Sequence, residues 1–162
     1  MQEHRTGLGW DSHRLVEGRP LILGGVELEH DLGLDGHFDA DVLTHAVIDA
    51  LLGAAGLGDI GEHFPDTDER WRDADSIALL AEAVSMVAAQ SLQIVNIDCT
   101  VLMERPKLNP HRSAIRERLA TTIGLSPDRV NVKASTGEGI GFVGREEGVS
   151  AMAVATLTTA GG

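Results

Sequence analysis

The chain has 162 residues, a single cysteine and a formal net charge of −12. One domain of this length can bury a core unaided, a lone cysteine, Cys99, excludes an internal disulfide, and the acidic balance argues against nucleic acid, whose phosphates recruit basic patches. No stretch reaches the roughly 18–20 unbroken apolar residues of a membrane span. Residues 1–9 lack the basic and apolar regions of a signal peptide, so a soluble cytoplasmic protein with no membrane partner is expected.

Residues 5–15 read as a first strand and 20–28 as a second, with Gly18 and Arg19 in the turn between them. The run 39–56 is apolar at Val42, Ala46, Leu51 and Ala55, which predicts a helix. Residues 58–68 are rich in Gly, Asp and Pro and read as a loop. The spacing of Ile77, Leu80, Ala81, Val84 and Val87 predicts a helix over 75–90, capped by Asp73 or Asp75. A strand follows over 94–103. A helix over 110–123 starts at a proline and stops before Gly124. Strands over 130–135 and 149–157 close the chain. The order β-β-α-α-β-α-β-β predicts one domain over 1–162. It is an α+β sandwich, with about four strands in the main sheet and helices on one face. With an aromatic content of 3%, such a domain is expected to finish its core against another subunit.

Asp11 and His13 lie two apart near the end of the first strand, so both side chains point to one face. His37, Asp41, His45 and Asp49 step by four, which keeps them on one side of a helix. Strand pair and helix stripe can therefore converge. Asp11, His13 and His45 would supply one carboxylate and two imidazoles, three ligands with an open position, as in a catalytic zinc site. Asp49, one turn from His45, is the expected partner of that imidazole's other nitrogen. The alternative is that these are ordinary solvated acids and histidines on a helix face.

Five strings extend the pattern: GWDSHRL (9–15), LILGGVEL (21–28), HFDADVLTHAVIDALLGAAGLGDIGEHFPDTD (37–68), MERPKLNPH (103–111) and VNVKASTGEGIGFVGREEG (130–148). In this order they resemble the 2-C-methyl-D-erythritol 2,4-cyclodiphosphate synthases of the non-mevalonate isoprenoid pathway, across essentially the whole chain. The resemblance implies a homotrimer with active sites between subunits. It implies Zn2+ on Asp11, His13 and His45, and Mg2+ or Mn2+ on the substrate diphosphate, with Glu138 as its acidic ligand. The implied substrate is a CDP-linked methylerythritol 2-phosphate, and the products are the cyclic diphosphate and CMP.

By the same resemblance, His37 and Thr136 donate to the transferring phosphate, flanked by Ser12, Phe38, Ser135 and Gly137. Asp59, Ile60, Gly61, Phe64, Pro65, Asp66, Thr67 and Asp68 hold the methylerythritol hydroxyls. Met103, Glu104, Arg105, Pro106, Leu108 and Asn109 hold cytosine, with Lys107 near the phosphates. Phe142 and Arg145 line the trimer axis or the pocket edge. The chain departs from the family pattern at Trp10, Phe38, Ala40 and Gly137, where Phe, Ser, Gly and a polar residue are usual. Two other classes remain: a metal-dependent phosphohydrolase with Asp41 as base, and a non-catalytic trimeric metal-binding module.

Overall fold

The alternation of the first strand decides how the other elements pack. In the computed structural model, which describes residues 1–161, β1 runs His4–Val16. Gly7 and Gly9 face inward, and Leu8 and Trp10 face outward. A Cβ at Gly7 would stand 2.1 Å from the Ala50 carbonyl oxygen, and one at Gly9 would stand 1.8 Å from that of Ala46. Only glycine therefore lets helix α1 (Val42–Ala55) lie directly on the strand. Its Leu43, Ala46, Val47, Ala50 and Leu51 are wholly buried there.

The second predicted strand is in fact a hairpin, β2 (Leu21–Leu23) and β3 (Val26–Leu28), forming its own two-stranded sheet. The break falls at Gly24 and Gly25, whose φ values of 58° and 75° suit a tight turn that other residues resist. β4 (Gly33–Asp35), too short to show alternation, pairs with the end of β1. The predicted helix start at residue 39 also shifts. Phe38 and Ala40 have φ of 57° and 54°, and α1 begins only after its N-cap, Asp41.

The remaining elements are α2 (Ile60–His63), a helical turn inside the expected loop, α3 (Ser76–Ala89), β5 (Leu92–Leu102), α4 (Arg112–Ile123), β6 (Val130–Ser135), the short α5 (Gly141–Gly144) and β7 (Gly148–Thr159). Asp75 caps α3, accepting from the Ile77 N–H at 2.8 Å. The main sheet has five strands rather than four, in the order β4-β1-β7-β5-β6. All pairs are antiparallel except β5 with β6, which α4 connects as a crossover.

Helices α1, α3 and α4 cover one face, over buried Ala151, Ala153 and Ala155 of β7 and Ile97, Cys99 and Val101 of β5. On the other face Leu8 pairs with Val154 and Trp10 with Met152, and all four are exposed, Leu8 at 67% and Trp10 at 56%. Among the described residues no helix is long and apolar enough to cross a membrane.

Candidate active site

The close seat of α1 on β1 brings three donor atoms together. His13 Nε2 lies 2.9 Å from Asp11 Oδ2, His45 Nδ1 lies 3.2 Å from the same oxygen, and the two ring nitrogens are 3.3 Å apart. Metal bonds of about 2.0–2.1 Å at tetrahedral angles set their ligand atoms about 3.3 Å apart, so the trio has the spacing to hold one metal ion. It is the one group of three or more possible metal-ligating side chains among the described residues. Burial raises the Asp11 carboxyl's proton affinity, but the two imidazoles outweigh it and hold the group well below the usual carboxylate range. Deprotonation at neutral pH is what a metal ligand requires.

The trio forms one wall of a pocket. His37, Phe38, Asp49, Ile60, Gly61, Phe64, Pro65 and Asp66 complete it. His37 is exposed at its rim, with Nδ1 3.9 Å from Asp66 Oδ2. The Phe38 ring meets His45 edge-on, with centroids 5.9 Å apart at 87°. Three neighbouring groups are not part of this lining. Asp59 caps α2, accepting from the Glu62 N–H at 3.0 Å, and Asp68 is occupied by Arg70 at 2.7 Å. Thr67, between Asp66 and Asp68, lies outside the lining.

Two expected roles are overturned. Asp49 does not hold His45. Its Oδ1 accepts the Ile60 N–H at 2.8 Å and so anchors the start of α2. His45 Nε2 instead meets Ser76 Oγ at 2.8 Å. Nor is Asp41 poised as a base. It is wholly buried, and its carboxylate accepts the N–H groups of Gly24, Gly25 and Thr44 and the Thr44 hydroxyl, at 2.7 to 3.0 Å. Burial pushes its pKa up, against the pull of those four bonds. His37 and Asp41 precede α1, so only His45 and Asp49 remain of the helical stripe.

A second depression is lined by Met103, Glu104, Pro106, Lys107, Leu108, Asn109, Ser135 and Thr136, together with Arg112, which the sequence reading did not single out. Arg105 turns away to Glu146, at 2.6 Å. The Gly137 N–H donates to Glu104 Oε1, and exposed Glu138 follows it with φ 54°. Ser12 and Phe142 border a third hollow beside His13, and Arg145 pairs with Glu147 at 3.1 Å. Within one chain, then, Thr136 lines a different pocket from the Asp11, His13 and His45 trio.

The family model described as the YgbB family matches residues 4–158. The 2-C-methyl-D-erythritol 2,4-cyclodiphosphate synthase of Salinibacter ruber is 61% identical over 156 residues, covering 96% of this chain and 99% of that protein. The synthase of Synechococcus elongatus is 57% identical over 157 residues, 97% of this chain and 98% of its own length. Among solved structures, the bifunctional IspDF of Campylobacter jejuni superposes with a TM-score of 0.94 at 43% identity, over 98% of this chain and 43% of that one. The CDP-bound form of a 2C-methyl-D-erythritol-2,4-cyclodiphosphate synthase superposes with a TM-score of 0.88 at 43% identity, over 94% of this chain and 99% of the other.

Proposed function

This chain belongs to the YgbB family, and from that premise we propose that it forms 2-C-methyl-D-erythritol 2,4-cyclodiphosphate from 4-diphosphocytidyl-2-C-methyl-D-erythritol 2-phosphate, releasing CMP. It is a phosphorus–oxygen lyase of isoprenoid precursor synthesis. The observation that carries the reading is the Asp11, His13 and His45 trio in a pocket wall, in a chain 61% identical to a named synthase over 96% of its length.

In this reaction the 2-phosphate oxygen attacks the β-phosphorus and the bond to CMP breaks. The attacking oxygen is already anionic, so catalysis rests on positioning and charge stabilisation, and no strong base is needed. That agrees with a pocket whose half-buried carboxylate besides the trio, Asp49, accepts the Ile60 N–H. Asp11, His13 and His45 would hold Zn2+, and Glu138 the Mg2+ or Mn2+. When bound, these ions polarise phosphate oxygens and neutralise the leaving group. His37 donates from the pocket rim and Thr136 from the second depression, each preorganised donor being worth about 3 kcal/mol. The 103–109 segment receives cytosine.

The reading includes a homotrimer with sites between subunits, in the cytoplasm. Two features support assembly. The paired residues Leu8–Val154 and Trp10–Met152 leave an apolar strip on the open sheet face. Thr136 and the trio sit in separate pockets, which a neighbouring copy can bring together.

Phosphorus NMR of the protein with the CDP-linked substrate and magnesium is the test. Appearance of the cyclic diphosphate with stoichiometric CMP is expected. Cleavage to inorganic phosphate without a cyclic product would show a hydrolase, and an unchanged spectrum with zinc retained would show a binding module.

A further inference from the structure

Ser76 opens α3 and is wholly buried. Its N–H donates to Asp39 Oδ2 at 3.0 Å, and its hydroxyl contacts Asp39 Oδ1. A hydroxyl has one proton and a carboxylate only accepts, so that proton goes to Asp39. Ser76 Oγ therefore meets His45 Nε2, 2.8 Å away, as an acceptor, and Nε2 carries the imidazole proton. A neutral imidazole has a single N–H, which leaves Nδ1 as a bare lone pair. That lone pair faces Asp11 Oδ2 at 3.2 Å. Two acceptors so placed repel unless a cation lies between them or a proton on His13 Nε2, 2.9 Å from Oδ2 and 3.3 Å from Nδ1, bridges them. Asp39 is itself fixed, because Oδ1 also accepts the Asp41 N–H at 3.2 Å, next to the start of α1.

We infer that Ser76, backed by Asp39, is a positioning residue that sets the tautomer of His45 and presents its Nδ1 to a divalent cation. The inference rests on the metal reading above and extends it to two residues that touch no ion. Asp49, the other acid near His45, is committed to the Ile60 N–H, so Ser76 has no substitute. Partners of this outer kind typically alter metal affinity about 10–100-fold.

The test compares wild type, Ser76→Ala, Ser76→Thr and His45→Ala as full-length chains, each checked for folding by circular dichroism. Zinc affinity is measured by chelator competition, and cobalt-loaded proteins are compared by visible spectrum. Ser76→Ala should weaken zinc binding about 10–100-fold and change the cobalt spectrum, while Ser76→Thr, which keeps the hydroxyl, stays within about threefold of wild type. His45→Ala should lose tight binding. Ser76→Ala binding like wild type while His45→Ala fails overturns the inference and leaves the metal reading standing. Wild type and His45→Ala binding zinc equally overturns both. Equal losses in Ser76→Ala and Ser76→Thr assign the effect to packing and also overturn it. Should Ser76→Ala not fold, Asp39→Asn carries the comparison. It keeps the hydroxyl and weakens its acceptor, so affinity should fall at least about threefold, and unchanged affinity refutes the relay.

Discussion

Replacing Gly9 by alanine should damage stability and the metal trio together. The new Cβ would lie 1.8 Å from the Ala46 carbonyl oxygen, where ordinary contact begins at 3.4 Å, so strand and helix must part by about 1.6 Å. The obstacle is backbone and cannot rotate away. Overpacking typically costs 1–3 kcal/mol, and a backbone collision belongs at the top of that range, about 3 kcal/mol. With an m-value of about 2 kcal/mol/M, the urea midpoint falls by about 1.5 M. Ala46 follows His45, and Asp11 lies two residues beyond Gly9, so the same displacement pulls apart atoms now 3.2 Å apart. Gly53→Ala is the control. Gly53 is exposed within α1, has nothing within 4 Å of an added Cβ and should gain about 0.5–1 kcal/mol. Both changes remove similar freedom from the unfolded chain, so their difference isolates the collision. Urea unfolding at one fixed protein concentration reads both. If Gly9→Ala unfolds within about 0.5 kcal/mol of Gly53→Ala, the helix does not rest on the strand as described.

Three further outcomes are expected. Phe38→Ser removes an edge-on contact with His45 and places a hydroxyl in the pocket lining. Single-turnover rates should stay within about a hundredfold of wild type, the span of ~3 kcal/mol, while His37→Ala costs more. The reverse order would misplace the phosphate. Burial, reinforced by the charge of Asp98, pushes the Cys99 thiol up to about 12, so a thiol reagent at pH 8 should label the folded protein negligibly and the urea-unfolded protein fully. Rapid labelling of the native state would contradict the buried placement. Trp10→Asp puts a charge into the strip formed with Leu8, Met152 and Val154. Light scattering should show three chains for wild type at micromolar concentration and smaller species for the variant, and an unchanged mass would move the interface elsewhere.

Legibility in the sequence followed local physics. β1, β6 and the end of α4 at Gly124 were readable, because alternation and a left-handed glycine cap, here at φ 85°, are local signals. β4 was not, since three residues cannot alternate convincingly. The Gly24–Gly25 pair was a readable hairpin signal that the apolar run on both sides obscured. Asp11, His13 and His45 could be grouped from spacing alone. What each nearby acid does could not. Asp41 and Asp49 look alike on a helix ruler, yet one caps the helix and the other holds α2. Ser76 is 31 positions from His45, and only the seating of α3 against α1 brings them together. The extent of the family strings carried the reaction class, which spacing could not reach.

The Asp41 carboxylate also bears on how the molecule comes apart. A hairpin with three-residue strands is marginal by itself in water, and β2–β3 shares no ladder with the main sheet. Yet its turn amides at Gly24 and Gly25 end on the residue that caps α1, and its Leu21, Leu23 and Leu28 lie in the common core. The hairpin is thereby tied into the cooperative unit that carries His45. In native-state hydrogen exchange those two turn amides should open with α1, at the rate of a core element, and not with the fast loops that a diagram of strands alone would group them with.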